Sequence, residues 1–233
     1  MSGQTVLPVS AADEVTLQNF AGKGNDILLG ELDILVRGLR ASNVLFLWGG
    51  RGFGKTHLLN ACCVAARKCG RNGVYLNMQQ SHLTAGDSLF DLDVLVPETL
   101  VCIDGLDCVA DSASLQQGLF AVYERVIGQG GAVLVSSSKP LKELSLSLKD
   151  LESRLSIGGI YQISELTDAE KYVALQQRAE NRGFRLDNNV MAFILSHYSR
   201  DTRSLFALLD RLDNASLRSH RKITIPFIKS LIQ

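Results

Sequence analysis

Eight consecutive residues, Gly49-Gly50-Arg51-Gly52-Phe53-Gly54-Lys55-Thr56, satisfy every fixed position of the pattern G-x-x-x-x-G-K-[ST]. The chemistry of such a stretch is anion binding, in which backbone N–H groups of a glycine turn and the N-terminus of the next helix converge on one phosphate. Lys55 would supply a point charge to the β- and γ-phosphates of a nucleotide, and Thr56 a hydroxyl for Mg²⁺. A glycine-rich turn between strand and helix needs no ligand, but it has no use for Lys and Thr at these two positions.

A second candidate is Asp104, which ends the apolar run Leu100-Val101-Cys102-Ile103. A carboxylate at the C-terminal edge of a parallel sheet, beside the glycine loop, is where the Mg²⁺ of a bound nucleotide takes an outer ligand. Hydrolysing enzymes of this kind place Glu or Asp immediately after that acid to polarise water. Here the position is Gly105; Asp107 two residues on could partly substitute, but from a turn its carboxylate is expected to point elsewhere. The residues therefore predict nucleotide binding without efficient hydrolysis by this chain alone.

Three further groups stay open on the residues themselves. Ser136-Ser137-Ser138-Lys139-Pro140 either senses a γ-phosphate or is a serine-rich exit from a strand. Arg154 and Arg203 could stabilise γ-phosphate charge, in this chain or in a neighbour, or be surface arginines. Gln4-Thr5-Val6-Leu7-Pro8-Val9 is a frayed terminus or a segment that docks in extended form in a partner's groove.

These residues need elements to hold them. Val44–Trp48, Gly73–Asn77, Leu100–Ile103, Ala132–Val135 and Gly159–Ile163 read as strands separated by helical segments, the pattern of a parallel sheet covered on both faces. A helix is expected over Asn25–Arg40, with Ile27, Leu28, Leu32, Leu35, Val36 and Leu39 on one face. Another is expected through Leu115, Leu119, Phe120, Tyr123, Val126 and Ile127, ending at Gly128. Beyond Leu166 the signals are all helical: 168–182 ending at Gly183, 188–198, 202–218, and a start at Thr224-Ile225-Pro226.

Composition excludes several classes. With 233 residues and 46% hydrophobic content the chain can bury a real core. No apolar run approaches the roughly 20 residues of a membrane span, and the N-terminus lacks the order of a signal peptide, so a cytoplasmic location is expected. Twenty-four basic and 24 acidic residues give zero net charge and no large phosphate-neutralising surface. The basic cluster Arg218-Ser219-His220-Arg221-Lys222 reads as a solvated helix end. The five cysteines, an odd number without metal-ligand spacing, read as reduced core thiols.

Taken together and in this order, the features resemble an AAA+ ATPase core, and within it the group of the replication initiator DnaA. The resemblance covers nearly the whole chain. Thr16-Leu17-Gln18-Asn19-Phe20 is similar to the segment that lies by the base in that group, Gly49–Thr56 with His57 following to Walker A, and Leu100–Asp104 to Walker B. Ser138 stands at the sensor 1 position, often Asp in the group. Arg154 in Ser153-Arg154-Leu155 resembles the box VII arginine finger, and Arg203 in Thr202-Arg203-Ser204-Leu205 the sensor 2 arginine. The fold implied is α/β, an AAA+ P-loop three-layer domain with a five-stranded parallel sheet over 13–165, followed by a small all-helical lid over 166–233, with a flexible segment 1–12 in front.

Within that family the resemblance is to regulatory members that inactivate DnaA. It rests on length, on the ending Lys222-Ile223-Thr224-Ile225-Pro226-Phe227-Ile228-Lys229, and on Gln4-x-x-Leu7-Pro8. DnaA itself carries a further helix-turn-helix domain, and none is expected after Gln233. In those members the N-terminal peptide binds the β sliding clamp of DNA polymerase III, a role carried onto Gln4, Leu7, Pro8 and Val9, although Thr5 and Val6 depart from the usual Leu-Ser. The resemblance implies an adaptor, not itself an enzyme, that links clamp to DnaA and promotes hydrolysis of DnaA-bound ATP through Arg154. It implies an adenine nucleotide, ADP in preference to ATP, with Mg²⁺ held through Thr56 and Asp104. It also implies a homo-oligomer without direct sequence-specific DNA binding. The rival readings are an active AAA+ ATPase or helicase loader, and a binding module with a vestigial nucleotide site.

Overall fold

A computed structural model of the chain describes residues 16–20, 22–39, 42–81, 95–198, 201–219 and 221–232. The chain divides into two compact units, Val15–Glu165 and a second whose described part lies in Leu166–Gln233. In the first, a 3-10 turn at Lys23–Asn25 leads into α1 (Asp26–Val36), β1 (Val44–Trp48), α2 (Lys55–Lys68), β2 (Gly73–Asn77) and the short α3 (Met78–Ser81). Then come β3 (Leu100–Asp104), a 3-10 turn (Leu106–Val109), α4 (Ala113–Gly128), β4 (Ala132–Ser137), α5 (Lys149–Ser156) and β5 (Gly159–Gln162).

The strands form one parallel sheet in the order β2-β3-β4-β1-β5. Successive side chains on a strand point to opposite faces. Val44, Phe46, Val101, Ile103, Val133 and Val135 bury on one side against Leu119 and Val122 of α4 and Leu151 and Leu155 of α5. Leu45, Leu47, Leu100, Cys102, Ala132 and Leu134 bury on the other, against Leu28, Leu32 and Leu35 of α1 and Leu58, Leu59 and Cys62 of α2. Each fully buried Leu or Val contributes about 1.5–3 kcal/mol. Both faces being covered is why these strands are continuously apolar rather than alternating. Because β4 lies between β3 and β1, the C-terminal ends of all three stand side by side, and chain leaving them converges on one edge.

Three local expectations are corrected. Helix α1 stops at Val36, with Gly38 beyond it at φ 70°, so Leu39 lies past the helix and is 74% exposed. Ile27, about 100° round the helix from Leu28, misses the buried stripe and is 79% exposed. Cys62, Cys63 and Cys102 are buried, but Cys69, at the C-cap of α2, is exposed and not a core thiol. In addition, β4 runs on past its apolar residues through Ser136 and Ser137, both fully buried.

The second unit is helical: α6 (Asp168–Asn181), α7 (Asn188–His197), α8 (Thr202–Ser219) and α9 (Ile225–Ile232). Thr167 and Glu170 form a reciprocal capping box that starts α6, and Gly183 at φ 82° follows its end. Leu175, Met191, Ile194, Leu205, Leu209 and Leu212 are among its core residues. Among the described residues no helix is long and apolar enough to cross a membrane.

Charge ties α6 to α8. Arg182, 10% exposed, lies 2.7 Å from Asp210 and 3.6 Å from Asp213, and Arg178 places its guanidinium 4.7 Å from the Phe206 ring centre. Truncating the shielded cation removes an ion pair from each of two carboxylates, although Asp210 keeps Arg178 at 3.5 Å. Arg182→Ala is expected to destabilise the helical unit by about 1–3 kcal/mol in chemical denaturation, and a value within error of wild type would show the pairs to be ornamental.

Candidate nucleotide site

The phosphate loop starts where β1 ends, and Gly49 N–H donates to the Ser137 carbonyl at 3.2 Å, joining the loop to β4. Gly54 precedes α2 in the left-handed region, φ 91° and ψ 13°, which a residue with a Cβ adopts only under strain. A Cβ there would also come within 2.5 Å of the Phe20 ring. That ring lies 5.9 Å from the ring of His57, whose Nε2 is 3.3 Å from the Thr16 carbonyl, so the segment 16–20 is packed onto the start of α2. The Phe53 ring covers Gly49 and Gly50. Arg51 at the loop's tip is exposed.

Lys55 Nζ donates to the carbonyls of Gly49, at 2.7 Å, and Gly50, at 2.8 Å. An ammonium has three donors, so one is left for an anion. Burial lowers the Lys55 pKa, against the opposing pull of Asp104 and Asp107.

Asp104 is the hub. Thr56 Oγ1 on α2 donates to its Oδ2 at 2.6 Å, the Tyr75 hydroxyl on β2 donates to the same oxygen at 2.7 Å, and Ser136 Oγ on β4 donates to Oδ1. Burial, followed by the Asp104 charge, pushes the Tyr75 phenol well above its ordinary pKa, so it remains a donor.

Asp107 does not point away from the site as expected. Gly105, at φ 85° and ψ 51°, turns the chain into the 3-10 segment so that Asp107 faces the exit of β4. Its carboxylate accepts from Ser138 N–H at 2.9 Å, Ser138 Oγ at 3.0 Å and Ser137 Oγ at 3.2 Å. Burial works to raise its pKa, but the Ser138 and Ser137 donors outweigh it and leave the pKa below the usual value.

The structure thus brings Lys55, Thr56, Asp104 and Ser138 to one sheet edge, with His57 behind the loop. Arg154 is elsewhere: it stands half-exposed on α5, 3.7 Å from Glu124 of α4. Arg203 belongs to α8 of the second unit, and its side chain lies outside the described residues. Gln4, Leu7, Pro8 and Val9 lie outside them too.

Residues 14–162, more than half of the chain, match the profile of the bacterial DnaA ATPase domain, and residues 168–232 match that of the Hda lid domain. The chain belongs to the DnaA-related AAA+ family, with a lid of the Hda type. Among solved structures it is similar to domain III of the replication initiation protein DnaA of Thermotoga maritima, at 17% identity and a TM-score of 0.80, covering 94% of this chain and 95% of that one. It is also similar to AMPPCP-bound DnaA of Aquifex aeolicus, at 20% identity and a TM-score of 0.70, covering 89% and 69%. A RuvB variant of Thermotoga maritima shares the fold at 16% identity and a TM-score of 0.66, covering 95% and 72%.

The donor set of this DnaA-related chain fits a nucleotide with Mg²⁺. A glycine cradle closed by Phe20 and Phe53, one ammonium, and a hydroxyl bonded to a carboxylate are what that ligand pair requires. Among the described residues no group of three or more His, Cys, Asp or Glu could hold a metal alone, so a cation here would depend on phosphate oxygens. Sequence reasoning missed Tyr75 and Ser136 as partners of Asp104. The available signals were a phenol on a strand otherwise read as core and a serine directly after one.

The Asp107 cluster has a pH signature. A carboxylate whose folded pKa is depressed stabilises the fold above its unfolded pKa, and that contribution is lost as pH falls through the folded value. The stability difference between wild type and Asp107→Asn is therefore expected to be largest near neutrality and to shrink below pH about 4. Unfolding curves recorded across that range check it; a constant difference would mean the charge is not what Ser137 and Ser138 hold.

Proposed function

We propose that this chain is a nucleotide-bound regulator of the replication initiator DnaA rather than a self-sufficient ATPase. Its Arg154 completes the ATP site of DnaA and promotes hydrolysis there. The observation that carries this reading is the pairing of a nucleotide site in which a left-handed glycine, Gly105, directly follows Asp104 with a half-exposed arginine outside that site's own bonding network. The similarity of both units to DnaA and Hda domains supports it.

The nucleotide at the chain's own site, ADP in preference to ATP and accompanied by Mg²⁺, is a regulatory ligand. Arg154 acts on a different molecule. A guanidinium is permanently charged and forks onto phosphate oxygens, so it stabilises charge spread over a transferring γ-phosphoryl group. Arginine fingers are worth roughly 10³–10⁵ in rate. Residues Gln4, Leu7, Pro8 and Val9 dock on the β sliding clamp of DNA polymerase III, which makes the stimulation depend on clamp loaded on DNA.

Mixing the chain with ATP-loaded DnaA and DNA-loaded clamp is expected to accelerate phosphate release, while the chain alone with ATP turns over little. Arg154→Ala should abolish the acceleration with clamp binding intact, and Gln4→Ala should reduce both. Full stimulation by Arg154→Ala would remove the finger assignment, and rapid turnover by the isolated chain would favour an ATPase motor.

A further inference from the structure

The nucleotide site contains a side chain that phosphate-loop chemistry does not call for. Tyr75 enters from β2, an edge strand whose register sets Asn77 opposite Asp104 and Tyr75 opposite Cys102. Its hydroxyl gives its one proton to Asp104 Oδ2 at 2.7 Å, the same oxygen that accepts from Thr56 at 2.6 Å. Ser136 gives its proton to Oδ1.

An ionised carboxylate has about four lone-pair positions, two on each oxygen. Both on Oδ2 are occupied, and one of the two on Oδ1. Thr56 can turn a lone pair toward a cation and still donate its proton, so its bond to Asp104 is compatible with a bound metal. The Tyr75 bond is not of that kind. A water in a cation's shell reaches Asp104 by donating a proton, and at Oδ2 the place for that proton is held by the phenol.

We propose that Tyr75 is a positioning residue that stands in for the divalent cation at Asp104, compensating the carboxylate and competing with metal-bound water, so that nucleotide binding here depends only weakly on Mg²⁺. The proposal rests on the reading of this edge as a nucleotide site. Two effects act in the same direction. Without Mg²⁺, the phenol's donation softens repulsion between Asp104 and the phosphates. With Mg²⁺, it withholds a lone pair that outer-sphere water would use. Loss of the phenol oxygen therefore weakens binding in the absence of cation and strengthens it in its presence.

The test is a fluorescence titration of the full chain with N-methylanthraniloyl-ADP, in excess EDTA and in saturating MgCl₂. Wild type is expected to show a ratio of the two affinities below roughly tenfold. Tyr75→Phe, which keeps the ring, should widen that ratio by about three- to tenfold. In an Asp104→Asn background, Tyr75→Phe should widen it no further. A purely structural role would weaken binding equally in both buffers, and that parallel loss, or an unchanged ratio, overturns the assignment. A wild-type ratio above about a hundredfold overturns it without recourse to any variant. No binding of the probe in either buffer overturns the nucleotide reading itself, and the Tyr75 assignment with it.

Discussion

A single carboxylate constrains how the functional edge of this protein is built. Asp104 ends β3, and the hydroxyls that hold it come from α2, β2 and β4. A charge at a half-buried strand end is costly unless its lone pairs are met. Meeting them fixes the first turn of α2 against the sheet, and that turn carries the phosphate loop's Lys55. Ser136 and Ser137 make sense only on these terms. Both are fully buried, where an unpaired hydroxyl would cost about 1–3 kcal/mol, and each spends its proton on a carboxylate. The strand order, with β4 between β3 and β1, is what makes such bonds possible.

Gly105 divides the labour between two acids. Its left-handed backbone lets the chain leave β3 and turn back at once, which aims Asp107 at Ser137 and Ser138. A residue with a Cβ would hold φ 85° only at a cost of about 1–2 kcal/mol. Glycine here is thus part of the geometry that places the second acid, as well as the absence of a water-polarising carboxylate. Ser138 gives its hydroxyl proton to Asp107. Toward any other partner that oxygen is left as an acceptor.

Much of the architecture was legible because its signals are local. Strands β1, β3 and β4 each carry an unbroken apolar run, and the phosphate motif fixes the strand-loop-helix junction between Val44 and Lys68. Helix ends followed from single residues, Gly183 after α6 and Thr224 before α9, whose Oγ1 accepts from Phe227 N–H. What escaped depends on adjacency between strands distant in sequence. That Tyr75 meets Asp104 follows from β2 pairing with β3, and nothing near Tyr75 in the chain announces it. The direction of Asp107 escapes too, because a turn in the sequence does not announce the positive φ at Gly105 that aims its carboxylate at Ser137 and Ser138. Ile27 and Leu39 show the limit of periodicity: an apolar residue near a helix end counts toward a face only while the helix lasts and only on the right azimuth.

The surface around Arg154 has a different energetic character from the edge at Asp104. Leu151 and Leu155 anchor α5 in the core, and Gly158, where a Cβ would overlap the Val44 carbonyl, sets how closely the chain returns to β1. The backbone beneath Arg154 is therefore rigid. Its guanidinium, by contrast, is paired among the described residues with Glu124 at 3.7 Å, both side chains being about half exposed, 49% and 50%. Such a pair contributes about 0–1 kcal/mol, so exchanging Glu124 for a phosphate oxygen costs little. A charge on a fixed helix with a weak tether is preorganised in position and cheap to withdraw, the two properties an arginine offered to another molecule's active site needs.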